Sequence, residues 1–369
     1  MEVEKNIQDV FLSLLRSALW GVPAQSTPDG FSDWKYVAVL AKSQSVLGLV
    51  GEELMSCSAP KELKAKVRTM VMRTVMTHAK LNSVLAEVTA ALEKGGVPSV
   101  LLKGQGIAAY YPKPELRQCG DIDLYVGQKE YARSYEILRQ TGASMEDPKA
   151  LTVGKHYHAS YGQVEVEVHR YTEVYPFRKY NDVYQKASDA GMTEGLVPMS
   201  FGGVTVATPE DTFNAFFIFS HLFHHFLTSG IGLRQFCDWM MLLSARKEEI
   251  DHERLAKILT DMDMMKPWQA FGCVLVEHLG LPASDFPFYD PAENFRVEKI
   301  LSRVLSEGNF GQERDVVTKR SRSYLLNKIR SFIGHITRTT VLLRLFPRQA
   351  LRQFCHTLTS GLTKTKNGL

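Results

Sequence analysis

The sequence has few cysteines, and they form no recognisable metal or disulfide pattern. Its 369 residues include five cysteines, none of them in a C-x-x-C pair. An odd number of scattered cysteines argues against a disulfide framework and against a structural zinc knuckle. This usage favours a reducing compartment, and we expect a cytoplasmic protein.

A long uninterrupted apolar run is also missing. The most apolar stretch, residues 213–233, is interrupted by three histidines and two glycines, which indicates a buried core helix rather than a transmembrane segment. The first twenty residues carry acids where a signal peptide carries bases, and their apolar residues are periodic. The sequence therefore predicts a soluble chain with no transmembrane segment.

The chain contains no internal repeat, and its character changes twice along its length. With 44% hydrophobic residues it can bury a sizeable core. Helical periodicity predicts an N-terminal helical region over residues 1–95. Residues 96–207 hold short strands and turns, and residues 208–369 are predicted to be helical, with Thr208 as the first N-cap and Pro209 in the first turn. The predicted fold class is α+β, with a β-sheet core flanked by N-terminal and C-terminal helical regions.

Two aspartates stand in the stretch RQCGDIDLYV, which otherwise favours extended backbone. Residues i and i+2 of a strand point to one face, so Asp121 and Asp123 project together. The same rule places Glu165, Glu167 and His169 of VEVEVHR on one face. Neighbouring strands with carboxylates on one face repel each other unless a cation lies between them. Magnesium suits such a site because it prefers oxygen ligands.

A glycine turn precedes the first of these strands. LLKGQG follows a short apolar strand and opens a helix, so its backbone N–H groups can face an anion while Lys103 adds positive charge. Each motif alone has an ordinary explanation: a solvated strand edge, a common turn, an amphipathic strand. Their order favours an active site, because strand, turn, short helix, D-x-D strand, helix and acid-bearing strand follow one another.

This order resembles the nucleotidyltransferase superfamily with the DNA polymerase β-type fold, and more closely a family of uncharacterised nucleotidyltransferases often found in bacteria. GGVPSVLLKGQGIAAYYPKPELRQCGDIDLYV is similar to that family's central motif, in which L-K-G is followed by Y-x-x-P, an arginine and G-D-x-D. VEVEVHR resembles its later acid–hydrophobic–histidine strand. DWKYVAVLAKSQSV and HLFHHF…GLRQFCDW resemble its outer helices, so the resemblance covers most of the chain.

The resemblance implies a mixed-sheet catalytic core and a magnesium-dependent reaction, with Mn²⁺ as a possible substitute. Asp121, Asp123 and Glu167 would be the catalytic residues and metal ligands, with Glu167 rather than Glu165 as the third carboxylate. The implied chemistry is attack by an acceptor hydroxyl on the α-phosphorus of a nucleoside triphosphate, with release of pyrophosphate; the acceptor is not implied. The expected nucleotide-binding residues are Lys103, Gly104, Gln105, Arg117, Gly120 and His169.

Two departures from the superfamily pattern keep a second hypothesis open. Superfamily members usually carry Gly-Ser or Gly-Gly at the phosphate turn, where this chain has K-G-Q-G, and many have Asp at the position of Glu167. The alternative is a catalytically weak nucleotidyltransferase fold that acts as a nucleotide, RNA or protein binding module.

Several polar residues near these motifs have two interpretations. Arg117 contacts a phosphate, or it pairs with Glu115 or with the strand carboxylates. His169 touches substrate or orients the neighbouring acid, or it is a satisfied structural histidine. His156 and His158 are expected in a surface loop near the cleft.

The histidine-rich helix offers a further choice. His221, His224 and His225 have the i, i+3, i+4 spacing of a zinc site with Asp238, but packing or lining of the cleft is favoured over metal binding. Arg234 is expected to pair with Asp238 at i, i+4, or to reach the nucleotide.

The C-terminal stretch has no acidic residue. Residues 319–369 hold eleven Lys or Arg and no Asp or Glu, which leaves 33 basic against 40 acidic side chains in the remainder. This asymmetry suggests contact with a polyanion such as RNA, with a membrane surface or with another protein. The alternative, which we favour slightly, is packing on the acidic remainder through an apolar face formed by Leu325, Leu326, Ile329, Ile333, Ile336 and Leu342.

Overall fold

The computed structural model describes residues 4–309 and 339–366. Four helices precede the sheet, as the periodicity predicted: α1 (Lys5–Trp20), α2 (Trp34–Ser43), α3 (Leu47–Leu54) and α4 (Lys61–Lys94). The last of them ends at a glycine pair in which Gly96 has a φ of 70°. A left-handed residue just after a helix is favourable for glycine, which explains why α4 stops there.

The sheet has seven strands and is mixed. In chain order they are β1 (Val100–Leu101), β2 (Asp121–Tyr125), β3 (Ser144–Met145), β4 (His156–Tyr161), β5 (Val164–His169), β6 (Val197–Phe201) and β7 (Val204–Thr208). Their spatial order is β3-β4-β5-β2-β1-β7-β6. The β2–β5 and β1–β7 pairs are parallel and the others antiparallel. The predicted α+β class with a mixed sheet is confirmed.

Helices also connect and follow the strands. The connecting helices are α5 (Gln105–Ala108), α6 (Gly127–Gln140), α7 (Ala150–Val153) and α8 (Arg178–Gly191). After the sheet come α9 (Asp211–Thr228), α10 (Leu233–Ala245), α11 (His252–Asp261), α12 (Met265–Leu279), α13 (Val297–Glu307) and α14 (Pro347–Lys366). Over residues 4–309 and 339–366, no helix combines the length and apolar character needed to cross a bilayer.

Two hydrophobic clusters hold these layers together. One lies between the sheet and α4, where Val166 and Val168 of β5 share a cluster with Leu85 and Val88. The other contains side chains of α1–α4 together with those of α9–α13. The indole of Trp20 reinforces it by donating to the carbonyl of Leu279 at 2.7 Å. The division into residues 1–95, 96–207 and 208–369 stays a prediction.

The start of α9 differs from the sequence-based expectation. Thr208 is the last residue of β7 and donates its hydroxyl to the carbonyl of Val197, 3.0 Å away. The N-cap is instead Glu210, whose carboxylate accepts from the backbone N–H groups of Thr212 and Phe213 at 2.9 and 3.0 Å. The β6–β7 pairing continues through Thr208, which delays the helix.

The described part of the C-terminal stretch packs on the rest of the protein. Leu342, Leu345 and Phe346 are buried, and the Phe346 ring lies 5.3 Å from that of Phe223 on α9. The favoured packing interpretation therefore holds for Leu342. The other apolar positions invoked for it lie outside the described residues: Leu325, Leu326, Ile329, Ile333 and Ile336.

Candidate active site

The register of β2 and β5 brings the predicted carboxylates together. The two strands pair in parallel, with Asp121 opposite Glu165 and Asp123 opposite Glu167. Directly opposed residues place their side chains on the same face of a sheet. Ile122, which alternates with the aspartates, is fully buried on the other face. The expectation that the two acid-bearing strands are neighbours is confirmed.

Two cationic side chains surround Asp123. The Nζ atom of Lys103 lies 3.2 Å from its Oδ1, and Nε2 of His169 lies 3.0 Å from the same oxygen. Burial opposes ionisation of Asp123, but the charges of Lys103 and His169 hold its pKa well below the usual range. Burial also disfavours the charged form of Lys103, yet Asp123, Asp121 and Glu167 together raise its pKa. Asp123 and Lys103 therefore form an ion pair in which Asp123 is buried and Lys103 is partly exposed.

His169 connects two of the carboxylates. Its Nε2 also lies 3.4 Å from Oε2 of Glu167, and the side chain is only 5% exposed. Burial would lower the pKa of His169, but its hydrogen bonds to Asp123 and Glu167 raise it. The hydrogen bond from His169 in turn lowers the pKa of Glu167. Of the interpretations offered for His169, the geometry supports that of a residue that orients the acids.

Glu165 differs from Glu167 although both point to the same face. Glu165 is exposed and accepts a hydrogen bond from the Ser160 hydroxyl at 2.7 Å. Glu167 is half-buried beside His169. The two acids therefore differ in exposure and in hydrogen-bond partner, and the assignment of Glu167 rather than Glu165 as the third carboxylate stays a prediction.

The glycine turn before α5 approaches β2 closely. Gly104 has a φ of 57° and a ψ of −116°, a conformation that favours glycine, and a Cβ there would lie 3.5 Å from the Asp121 carbonyl oxygen. The Gln105 side chain is fully buried, and neither of its amide atoms has a hydrogen-bond partner. Gly120 is exposed, and a Cβ there would meet open space. A contact from Gln105 to nucleotide would therefore have to come from its backbone.

Arg117 is the main correction to the predicted site. Its Nε and Nη2 donate to the two carboxylate oxygens of Asp238 at 3.0 and 2.6 Å, and its side chain is 4% exposed. The Tyr111 hydroxyl donates to the same Asp238 at 2.8 Å. A guanidinium enclosed in this way is a structural brace, because it binds Asp238 of α10 through two nitrogens and donates from Nη1 to the Cys119 sulfur at 2.9 Å. Its carboxylate partner is Asp238 rather than Glu115 or the strand carboxylates.

The expected helical pair of Arg234 with Asp238 is wrong for the same reason, since Arg117 occupies the acid. Arg234 instead donates from Nη1 to the Gln118 carbonyl at 2.9 Å, and its Nε is buried without a hydrogen-bond partner. Burial and Asp123 raise the pKa of Asp121, and the positive charge of Arg234 opposes this rise. The interpretation that Arg234 reaches the nucleotide stays a prediction.

The histidines of α9 pack together beside the site. The His221 and His225 rings lie 4.4 Å apart, and Nδ1 of His225 is 2.7 Å from the Ser229 hydroxyl. Burial, with the charge of Lys103, lowers the pKa of His221 well below its usual value. No group of three metal-ligating side chains among the described residues includes these histidines. These contacts support packing and cleft lining rather than a zinc site with Asp238.

His156 and His158 lie in a strand rather than in the expected surface loop. They belong to β4, which pairs antiparallel with β5, so that His158 lies opposite Glu167 and His156 opposite His169. The segment HYHASY contains no β-branched residue, and it is paired with β5 along its whole length. Both imidazoles therefore join the acidic face.

A cavity beside α9 was not predicted by any motif in the sequence. Its volume is about 230 Å³, and aromatic side chains such as Phe177, Tyr180 and Phe223 line it together with Glu173. The Glu173 carboxylate is paired with Lys155 at 3.1 Å. Burial would raise the pKa of Glu173, but the charge of Lys155 lowers it. The cavity suits a small, largely apolar group.

The donor set of the acidic face fits a hard divalent cation. Asp123 and Glu167 bring ligand oxygens within 4.8 Å of one another; His169 completes that group of three, and Asp121 lies outside it. Burial and the adjacent Asp123 raise the pKa of Asp121, so a cation beside these carboxylates would relieve their repulsion. Oxygen donors of this kind suit Mg²⁺ and Mn²⁺.

The chain is similar to known nucleotidyltransferases. A family model described as "Uncharacterised nucleotidyltransferase" matches residues 31–280, more than half of the chain. The crystal structure of ANT(2'')-Ia in complex with adenylyl-2''-tobramycin is 10% identical and covers 49% of this chain and 96% of its own, with a TM-score of 0.35. The crystal structure of an antigenic nucleotidyltransferase-like protein from Paracoccidioides brasiliensis is 14% identical and covers 58% of this chain and 96% of its own, with a TM-score of 0.36. No curated protein sequence matches significantly. On the extent of the family match, the chain belongs to the uncharacterised nucleotidyltransferase family.

Proposed function

We propose that the chain is a magnesium-dependent enzyme that transfers a nucleoside monophosphate from a nucleoside triphosphate to a hydroxyl acceptor and releases pyrophosphate. The observation that carries this proposal is the alignment of Asp123 and Glu167 across two neighbouring parallel strands, with Asp121 two residues before Asp123 on the same face. Lys103 lies against Asp123 at the edge of this face. Carboxylates and a lysine in this arrangement suit a triphosphate with its metal ion.

In this proposal Asp121, Asp123 and Glu167 hold Mg²⁺, or Mn²⁺ in its place. The ion would neutralise charge on the triphosphate and polarise the phosphoryl group under attack. His169 holds the Asp123 and Glu167 carboxylates in position through its Nε2, so it acts as a positioning residue.

The nucleotide contacts come from the turn and from α10. Lys103 supplies a positive charge to the phosphates, and Gly104 allows the backbone to approach them without a side chain. Gly120 leaves open space beside β2. Arg234 adds a guanidinium from the helical side, whereas Arg117 stays behind the site as a brace.

A thermal-shift comparison tests the proposal without knowledge of the acceptor. Each nucleoside triphosphate is added with and without Mg²⁺, and the melting temperature should rise most when both are present, because ligand that binds only the native state stabilises it. Asp123→Asn and Glu167→Gln should remove the magnesium-dependent part of this rise.

Glu165→Gln is the matched control, because Glu165 shares the strand and the face of Glu167 but is exposed and bonded to Ser160. It should retain the response. Equal responses in all three variants would contradict the assignment of the metal ligands. Nucleotide binding that does not depend on Mg²⁺, without any transfer activity, would favour the binding-module hypothesis.

A further inference from the structure

A second set of metal-ligating side chains lies next to the carboxylates. His156, His158 and Glu167 each offer a ligand atom, and these atoms lie within 4.8 Å of one another. The i, i+2 spacing on β4 puts both imidazoles on one face, and the antiparallel register places that face beside Glu167. The three side chains converge because of the strand pairing and not because of an irregular loop.

The contact between His156 and Glu167 has the length expected for two ligands of one ion. Nδ1 of His156 is buried, has no hydrogen-bond partner, and lies 3.8 Å from Oε2 of Glu167. This distance is too long for a hydrogen bond. Two ligand atoms that are each about 2.0–2.2 Å from a shared metal ion can lie up to about 4 Å apart.

The ligand types select a different ion from the one assigned to the aspartates. Imidazole nitrogen binds zinc, cobalt and related ions well, whereas Mg²⁺ prefers oxygen ligands. Two histidines and one glutamate also form the ligand set of some catalytic zinc sites, in which a fourth position stays open to water or substrate.

We propose that His156, His158 and Glu167 form a binding site for a divalent transition-metal ion of the zinc class. Glu167 would then border two cation sites, with the oxygen ligands of β2 on one side and the imidazoles of β4 on the other. The site shares Glu167 with the proposed magnesium site, but its three ligands come from the protein alone, so binding of the ion can be tested without nucleotide.

The test is a Co²⁺ titration of the metal-stripped full chain without nucleotide, followed by the ligand-field absorption of Co²⁺. We expect saturable binding, displacement by an equimolar amount of Zn²⁺, and no displacement by the same concentration of Mg²⁺. His156→Gln and His158→Gln should each weaken Co²⁺ binding about tenfold or more, since even loss of a residue that only supports a metal ligand has an effect of that size. Ser160→Ala, on the same strand and face, is the control and should bind as the wild type does.

Two further variants separate this site from the magnesium site. Asp121→Asn should lose the magnesium–nucleotide thermal shift but keep its affinity for Co²⁺, whereas His158→Gln should show the reverse. The proposal is overturned if wild-type protein does not bind Co²⁺, if Mg²⁺ displaces Co²⁺ as readily as Zn²⁺ does, or if both histidine variants bind with unchanged affinity. The Zn²⁺ and Mg²⁺ competition uses wild-type protein only, so it decides the matter even if a variant misfolds.

Discussion

The buried pair of Arg117 and Asp238 allows a quantitative prediction that also decides the role of the arginine. The guanidinium contacts both carboxylate oxygens, and the two side chains are 4% and 8% exposed. Burial alone would lower the pKa of Arg117, but Asp238 raises it well above the usual range. The two side chains therefore form a buried ion pair in which each compensates the desolvation of the other.

Arg117→Met removes the positive charge beside Asp238 and both of the hydrogen bonds that Arg117 donates to it. The buried carboxylate then keeps the hydrogen bond from the Tyr111 hydroxyl. An uncompensated buried charge lowers the free energy of unfolding by about 3–5 kcal/mol. Asp238→Asn in the same chain removes that charge while keeping an oxygen that can accept from Tyr111. The loss in free energy of unfolding for the double variant should thus be smaller, by at least about 1 kcal/mol, than the sum of the losses for the two single variants.

The matched control is the pair of Arg139 with Glu136, whose side chains are 59% and 56% exposed. Arg139→Met should cost no more than about 0.5 kcal/mol, because solvent screens the pair. Urea unfolding followed by tryptophan fluorescence measures all four variants, since Trp239 is buried next to Asp238. A loss below about 1 kcal/mol for Arg117→Met would refute the reasoning.

The same variants test whether Arg117 touches a phosphate. If it is a brace, Arg117→Met and Asp238→Asn should change the magnesium–nucleotide thermal shift to the same small extent, at a temperature where both are folded. Loss of the shift in Arg117→Met alone would restore the original assignment of Arg117 to the nucleotide.

Three further predictions concern the helical part of the chain. Burial lowers the pKa of His225 to about 4, so between about pH 6.5 and 4 the unfolded state binds more protons than the folded state. The free energy of unfolding should therefore fall as the pH decreases through that window. In urea unfolding measured at several pH values, His225→Gln should make this fall less steep. Phe346→Ala should cost about 3–5 kcal/mol in urea unfolding, because the ring is buried against Phe223, and an unchanged midpoint would show that this contact is not formed. Truncation after residue 318 should lower the melting temperature by several degrees, as a loss of a few kcal/mol does in a long chain. If the melting temperature is unchanged and a salt-sensitive interaction with RNA or anionic lipid is lost, the stretch binds a partner instead.

The strands that carry the acids could be predicted because their alternation reports burial directly. Val164, Val166 and Val168 are buried on one face of β5, while Glu165 and Glu167 lie on the other. A period of two with apolar residues on one side is the signature of a half-buried strand. Strand β4 also alternates, with Tyr157 and Ala159 buried, but it contains no β-branched residue, which makes its sequence a weaker strand signal than that of β5. The sequence-based expectation of a surface loop for His156 and His158 is wrong, since both belong to β4.

The ion pairs could not be predicted because their partners are remote in sequence. Asp238 has an arginine four residues before it, which favours a helical pair, but its partner is Arg117, 121 residues away. The C-terminal bases show the same effect. A surplus of positive charge over residues 319–369 suggested an external anion, yet within the described part both Arg348 and Arg352 contact Asp263. A count of charges along the chain shows that the stretch is basic, but it does not show which acidic groups its bases contact. The fold determines which acid lies within a few ångströms of which base. The experiment that removes the stretch and the one that removes Phe346 therefore measure different things: only the first also removes the charges that could serve a partner.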